Sequence, residues 1–408
     1  MNRRLYPFAA FLVLTIVTMA CAALPFGGNR TPSSSQDEVA TVVALTMQAL
    51  TPIGDPATVT SEPVVNSLLP HSLYYLSNGS GGKMQVFRME KDGKTVHQVT
   101  SETTDVGAYD VSPVDGRVAY VANNQLIVIN SDGSVRTVLV DGGAIDPNNP
   151  IVEAVTRPVW SLDGRTIAYS HHGLSFYSLD TGASTLILEN KFSEVSGLKL
   201  ASEIYLPNSY SPDGKKLLIN IGFYEGGTVA IYYPDSNALV RLILDPGVGQ
   251  PCCDFIWAPD STGLYVANPT VGIISLGLWH INASDGKVTM LISDQTPDGM
   301  YSFADAPIVG PDGQLYYFYS ALKDIPAGRT PLQLVRSGLD GVTGRTVLKD
   351  TTFQMMNEAL WAPDASFVIE ADAPVQDVYQ GGVPAIIYLD GRPEVQLAEY
   401  AQQMKWGP

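Results

Sequence analysis

Ser161-Leu162-Asp163-Gly164 and the run Thr166-Ile167-Ala168-Tyr169-Ser170 behind it form one unit, a tight turn feeding a β-prone segment. Asp-Gly supplies the positive φ that a hairpin turn needs, and proline at the position before it sets the preceding residue. The unit recurs as Ser112-Pro113-Val114-Asp115-Gly116, Ser211-Pro212-Asp213-Gly214, Ala258-Pro259-Asp260-Ser261, Gly310-Pro311-Asp312-Gly313 and Ala362-Pro363-Asp364-Ala365. Successive first residues lie 49, 50, 47, 52 and 52 positions apart. Each turn leads into a β run, and a second run follows, as at 125–130, 173–179, 229–233, 278–282, 333–336 and 385–389. Another polar turn closes it, at Asp132-Gly133, Asp180-Thr181-Gly182, Asp235-Ser236, Asp285-Gly286, Asp340-Gly341 and Asp390-Gly391. A last strand returns to the next motif. Four antiparallel strands in about 50 residues make one blade of a β-propeller.

The ends of the chain set the blade number. Residues 72–100 hold Ser72-Leu73-Tyr74-Tyr75-Leu76, a run at 85–89, the turn Asp92-Gly93 and a run at 96–100, which is three strands without an opening one. The carboxyl end, Met404-Lys405-Trp406-Gly407-Pro408, matches Ala359-Leu360-Trp361-Ala362-Pro363 and stops after its opening strand. Joining the two pairs edges that would otherwise stay open. Six complete repeats and one composite blade predict an all-β, seven-bladed propeller over residues 67–408.

The blades resemble the WD40-like PD40 repeats of the TolB family. Its W-S-P-D-G core is visible in Trp160-Ser161-Leu162-Asp163-Gly164 and Trp257-Ala258-Pro259-Asp260. The likeness runs from about residue 70 to the end and implies the propeller fold. TolB resembles a shorter ring with an added amino-terminal domain, so its Pal-binding role is not carried over, and propellers host many activities.

Composition agrees with short strands and tight turns: 37 glycines, 28 prolines and only 16% charged residues. The net charge of −17 opposes a phosphate backbone, which is bound chiefly by Lys and Arg, so no nucleic-acid partner is expected. Residues 1–21 read as an export signal. Arg3 and Arg4 form the positive start, 8–20 the apolar core, and small residues follow. The apolar run is short for a membrane-spanning helix. Thr18-Met19-Ala20-Cys21 resembles a bacterial lipobox, with Thr18 in place of the usual aliphatic residue. This implies lipidation at Cys21 and a lipid-anchored protein on the outer side of the cell membrane or in the periplasm. An uncleaved anchor and plain secretion are the alternatives. Residues 22–66 read as a flexible tether, with a short helix at 39–50 behind the capping box Ser35-Gln36-Asp37-Glu38. A monomer is expected.

Cys252 and Cys253 either form a vicinal disulfide or remain two small reduced residues in a loop. Adjacent Cα atoms lie about 3.8 Å apart across a trans peptide, below the usual disulfide range, which favours the reduced pair.

Turns between the first and second and the third and fourth strands of each blade share one face, and all are tight. Spare length falls on the other face, at 141–156, 190–208, 244–253, 268–277, 293–305, 320–331 and 371–384. Long loops on a rigid scaffold are where function concentrates. There the opening strands start at the channel mouth, with Asp110, Arg157, Asn208, Asp254, Asp305 and Glu358. Such a ring suits a cation, a basic peptide or a sugar, or it is solvated rim. Tyr205, Tyr224, Tyr301, Phe303 and Tyr379 lie in or beside these loops, either for ligand contact or to order the loops themselves. His171-His172 falls in a tight turn with no third metal ligand at helical spacing, so the pair reads as turn residues and no metal or other cofactor is expected.

No G-x-S-x-G elbow occurs, and Ser161-Leu162-Asp163-Gly164 departs from the sialidase Asp box. The expectation is a non-catalytic binding or scaffolding module for a protein, peptide or glycan on the long-loop face, with no catalytic residues assigned. The alternative is a propeller hydrolase or lyase acting on carbohydrate through two mouth carboxylates such as Asp254 and Asp305. Perturbed carboxylates converging in a deep pocket would favour the enzyme, and a broad aromatic-bearing face the binder.

Overall fold

The computed structural model describes residues 67–146, 150–195, 198–223, 226–270 and 275–408. The export signal, Cys21, the tether with its 39–50 helix, and Tyr224 fall outside them. Among the described residues the strands form seven antiparallel sheets in a β-propeller. The blade quoted first runs through Thr156–Trp160, Thr166–Ser170, Gly173–Ser178 and Ala183–Glu189, each pairing with its sequence neighbour. Among the described residues no helix is long and apolar enough to cross a membrane.

The ring closes as the repeat count requires. Gln402–Trp406 lies antiparallel to Leu73–Asn78, with Leu73 opposite Trp406 and Tyr74 opposite Lys405. Met84–Met89 and Val96–Gln98 complete that blade. Seven apolar clusters accompany the seven sheets, and each fills one gap between neighbouring blades. The two that flank the closing blade show it. Phe367, Ile369 and Ile386 pack on Leu73, Met89 and Met404 on one side, and Val86 and Tyr74 pack on Val118 and Tyr120 on the other. Fully burying one such side chain is worth roughly 1.5–3 kcal/mol. A missing blade would therefore expose two apolar faces at once.

This sandwiching explains the strand composition. Second strands, covered by a blade on each side, are mostly apolar and buried. Val118–Ala122 and Gly263–Asn268 are buried at every position. Outermost strands such as Val96–Gln98 and Ala183–Glu189 are mostly exposed. Three tryptophans at the ends of opening strands, Trp257, Trp361 and Trp406, tie their blades to the one before. The indole N–H of Trp361 donates to the Ala306 carbonyl at 2.9 Å, and that of Trp406 to the Trp361 carbonyl at 2.7 Å.

The tight turns behave as their chemistry dictates. Gly116, Gly164, Gly214 and Gly313 take φ between 67° and 73°. Where the motif lacks glycine, Ser261 and Ala365 adopt the same left-handed conformation, at 61° and 54°. The turn aspartates accept backbone amides two residues on, as Asp163 does from Arg165 at 3.1 Å and Asp364 from Ser366 at 3.0 Å.

Two segments differ from the sequence reading. Residues 190–208, expected as loop, carry an added hairpin: Lys191–Val195 pairs with the start of the long strand Leu198–Tyr210, making that sheet five-stranded. The Leu and Ile residues there alternate with polar ones, which a strand accommodates as readily as a loop. Residues 141–156 carry a one-turn helix, Pro150–Glu153.

Candidate functional site

The opening strands carry four of the six mouth residues at irregular points of the sheet. Register slips between Thr156 and Val159, Pro207 and Ser209, Asp305 and Ile308, and Met356 and Glu358. Arg157 and Ala306 take φ of 51° and 46° at two of these bulges. A bulge inserts one residue and re-aims the side chains around it, and such bulges gather at barrel rims and beside sites. Arg157, Asn208, Asp305 and Glu358 all stand at such slips, whereas Asp110 and Asp254 belong to strands in regular register.

Three of the six hold the fold together. Asp110 accepts the Trp160 amide and the Lys405 ammonium, both at 2.7 Å, joining the first, second and closing blades. Glu358 accepts the Met404 amide at 3.3 Å and so helps seat the closing strand. Asn208 bonds Asn220 within its own blade, at 3.3 Å. Arg157, Asp254 and Asp305 are different. Arg157 and Asp254 have neither hydrogen bond nor ion pair among the described residues, and Asp305 accepts only the neighbouring Ala306 amide, at 2.8 Å.

Their electrostatics reflect the channel. Arg157 and Asp254 are exposed, yet partial desolvation by nearby protein atoms lowers the guanidinium and raises the carboxyl. Asp305 is less exposed. Desolvation first, and then the nearby charge of Asp254, push it up to about 7. Crowding also raises Glu358, against the amides it accepts. Among the described residues no cation compensates Asp254 and Asp305.

Two hollows open from this region. One, of about 380 Å³, holds Arg157, Asn208, Tyr109, Gln403 and Lys405. The other, of about 350 Å³, has Asp305 in its wall together with Arg329, Met356, Gln376, Ile325 and Tyr379. Arg329 joins the two loops of the second hollow by donating to the carbonyls of Gln376, Met356 and Val378, and its guanidinium lies 4.9 Å from the Tyr379 ring centre. Tyr379 is 72% exposed. Of the other aromatics singled out, Tyr205 and Phe303 are buried among blade residues and Tyr301 packs partly against the core, so they order the loops. Among the described residues the aromatic face is therefore reduced to Tyr379.

Lys405, Arg329 and Glu370 carried no signal in the sequence. Glu370 lies within the apolar strand Phe367–Asp372, where it is buried, leaves Oε2 unpartnered and is pushed by desolvation, then by Asp372, to about 8. Cys252 and Cys253 are bonded to each other, which corrects the reduced pair favoured from the sequence. Among the described residues the mouth carboxylates form no group of three ligands close enough to hold a metal ion. The group of three metal-ligating residues found among the described ones is Glu153, His171 and His172.

No protein-family model matches the chain, and no curated protein is similar enough in sequence to count. Solved structures do resemble it in fold. An oligogalacturonate lyase in complex with manganese superposes with a TM-score of 0.51 at 10% identity, over 81% of this chain and 86% of that one. A prolyl endopeptidase gives 0.49 at 14% identity over 84% of this chain, which spans about half (51%) of the peptidase's length. A protein from Agrobacterium tumefaciens described as TolB gives 0.39 at 16% identity, over 74% and 98%. At these identities the likeness extends to the propeller alone, a fold shared by enzymes and binders.

Proposed function

We propose that the chain is an exported, membrane-tethered propeller that binds a peptide or protein segment over its long-loop face without catalysing a reaction. The observation behind this reading is that, among the described residues, Asp254 and Asp305 have no compensating cation and Arg157 no compensating anion. Groups left unpaired in a crowded channel are stabilised by a ligand of opposite charge. A polypeptide supplies both kinds of group. Its lysine, arginine or amino-terminal cation fits the two aspartates, its carbonyl or carboxylate oxygens fit Arg157, and Tyr379 offers a ring at the rim.

The test uses the detergent-solubilised full chain and labelled peptides of matched length bearing lysine, glutamate or neither. Preferred binding of the lysine series, weakened at least tenfold in Asp254→Asn and Asp305→Asn and by raised salt, supports the reading. Equal binding of all three series, or indifference to the substitutions, overturns it.

The enzyme alternative has one observation in its favour. A carboxyl at about 7 beside a second aspartate suits general acid–base work on a glycan. Turnover of neutral or uronic oligosaccharides, abolished by Asp305→Asn, would replace the first reading with this one. Membrane tethering through a lipid on Cys21 is part of the proposal. Cys21→Ser should release the protein from membranes, and continued retention would indicate an uncleaved anchor.

A further inference from the structure

We infer that Glu153, His171 and His172 form a binding site for a borderline divalent cation of the zinc class. The ligating atoms of the three residues all lie within 4.8 Å of one another, and Oε2 of Glu153 is 3.7 Å from Nε2 of His172. Metal–ligand bonds of about 2 Å put ligand atoms roughly 3.3 Å apart around a tetrahedral ion. The group must therefore contract by about 0.4 Å at the Glu153–His172 edge and by at most about 1.5 Å at the other two, within reach of side-chain rotation. Imidazole nitrogens with one carboxylate suit Zn²⁺, and the hard cations prefer all-oxygen sets.

The sequence hides this site because its parts come from different blades. His171 and His172 occupy the turn between Thr166–Ser170 and Gly173–Ser178. His172 takes the left-handed conformation at φ 57°, and the two rings lie with centres 4.0 Å apart. Two hydrogen bonds fix the turn, from the His171 amide to the Gly173 carbonyl and from the Asn190 amide to the His172 carbonyl, each 2.9 Å. Glu153 arrives from the helix Pro150–Glu153 on the connection between the first two blades. Asn124, in a turn of the first blade, anchors that connection. Its amide donates to the Glu153 carbonyl at 3.0 Å and its oxygen accepts the Val155 amide at 2.8 Å. All three ligands are thus carried on backbone that is already pinned.

A further observation points to a cation. Nε2 of His171 is shielded from water and has no hydrogen-bond partner, a cost that a metal in the cluster relieves. His172 and Glu153 remain 48% and 38% exposed, which leaves an outward coordination position for water or a ligand atom.

The test is titration of Zn²⁺ into the metal-stripped full chain by calorimetry, with Co²⁺ as a visible-absorption probe. One saturable Zn²⁺ per chain is expected, with a tetrahedral-type Co²⁺ spectrum and a raised melting temperature. His172→Ala and Glu153→Gln, both at exposed side chains and checked for folding by circular dichroism, should each weaken binding by more than about tenfold. The double variant His171→Ala/His172→Ala should abolish the Co²⁺ spectrum. Absence of saturable binding in the unmodified chain, or binding unchanged in the folded variants, overturns the inference.

Discussion

Aspartates on the two faces of the ring behave as opposite kinds of acid. On the tight-turn face, Asp92 and Asp340 are held at about 2, because the hydroxyls of Thr95 and Thr343 and nearby turn amides donate to them. At the channel mouth Asp305 is pushed up to about 7 by crowding and by Asp254. The side chain is the same. In the turns the backbone presents its N–H groups to the carboxylate within two or three residues, so the charged form is solvated by the protein. At the mouth the strands present walls and a second negative charge. A carboxylate is therefore structural where the local chain supplies donors and is left available where the tertiary structure withholds them.

That contrast presupposes a closed ring, so the most damaging change removes closure. Deleting 402–408 takes away the strand paired with Leu73–Asn78 and the Trp406 indole bond to Trp361. Cooperative thermal unfolding is expected to be lost; a melting curve like that of the full chain would break the comparison at its base.

Next is Asp110, a mouth residue on the structural side of the divide. Asp110→Ala strands the Trp160 amide and the Lys405 ammonium, and should destabilise by about 2–3 kcal/mol in denaturant unfolding. Asp305 should respond in the opposite direction. A folded-state carboxyl raised above its unfolded value makes stability fall as pH rises from about 4 through about 7. Asp305→Asn should thus stabilise at pH 8 by about 1–2 kcal/mol, discounted for the water in the channel. The gain should vanish near pH 4, and a pH-independent effect would remove Asp305 from the perturbed class.

The smallest effect belongs to a turn. Asp340→Ala should lower the melting temperature less than Asp110→Ala does. Its depressed carboxyl contributes above the ordinary aspartate range and loses that contribution as pH falls through about 2. The substitution should therefore matter at pH 6 and cease to matter near pH 2, the mirror image of Asp305.

Much of this was legible beforehand. The blade turns, the composite seventh blade and the division into a tight face and an elaborated one all follow from spacing and turn chemistry. Within the candidate ring, Asp110 and Glu358 proved to be engaged in holding blades together, and that was illegible because their partners, Lys405 and Met404, lie far away in the chain. Tyr205 and Phe303 carried the composition of ligand-contact residues but lie in the core, since a strand extended by a few residues carries its loop aromatics inward.

What the amino-acid sequence determines alone is whatever rests on neighbours in the chain: the positive-φ turns, the two-residue alternation, the repeat length and hence the number of sectors. These depend on backbone sterics and on contacts a few residues apart. Only the tertiary structure decided which mouth charges are paired, where bulges re-aim Arg157 and Asp305, and that Glu153 meets His171 and His172. Those outcomes depend on distances between separate blades, and such distances leave no trace in local composition.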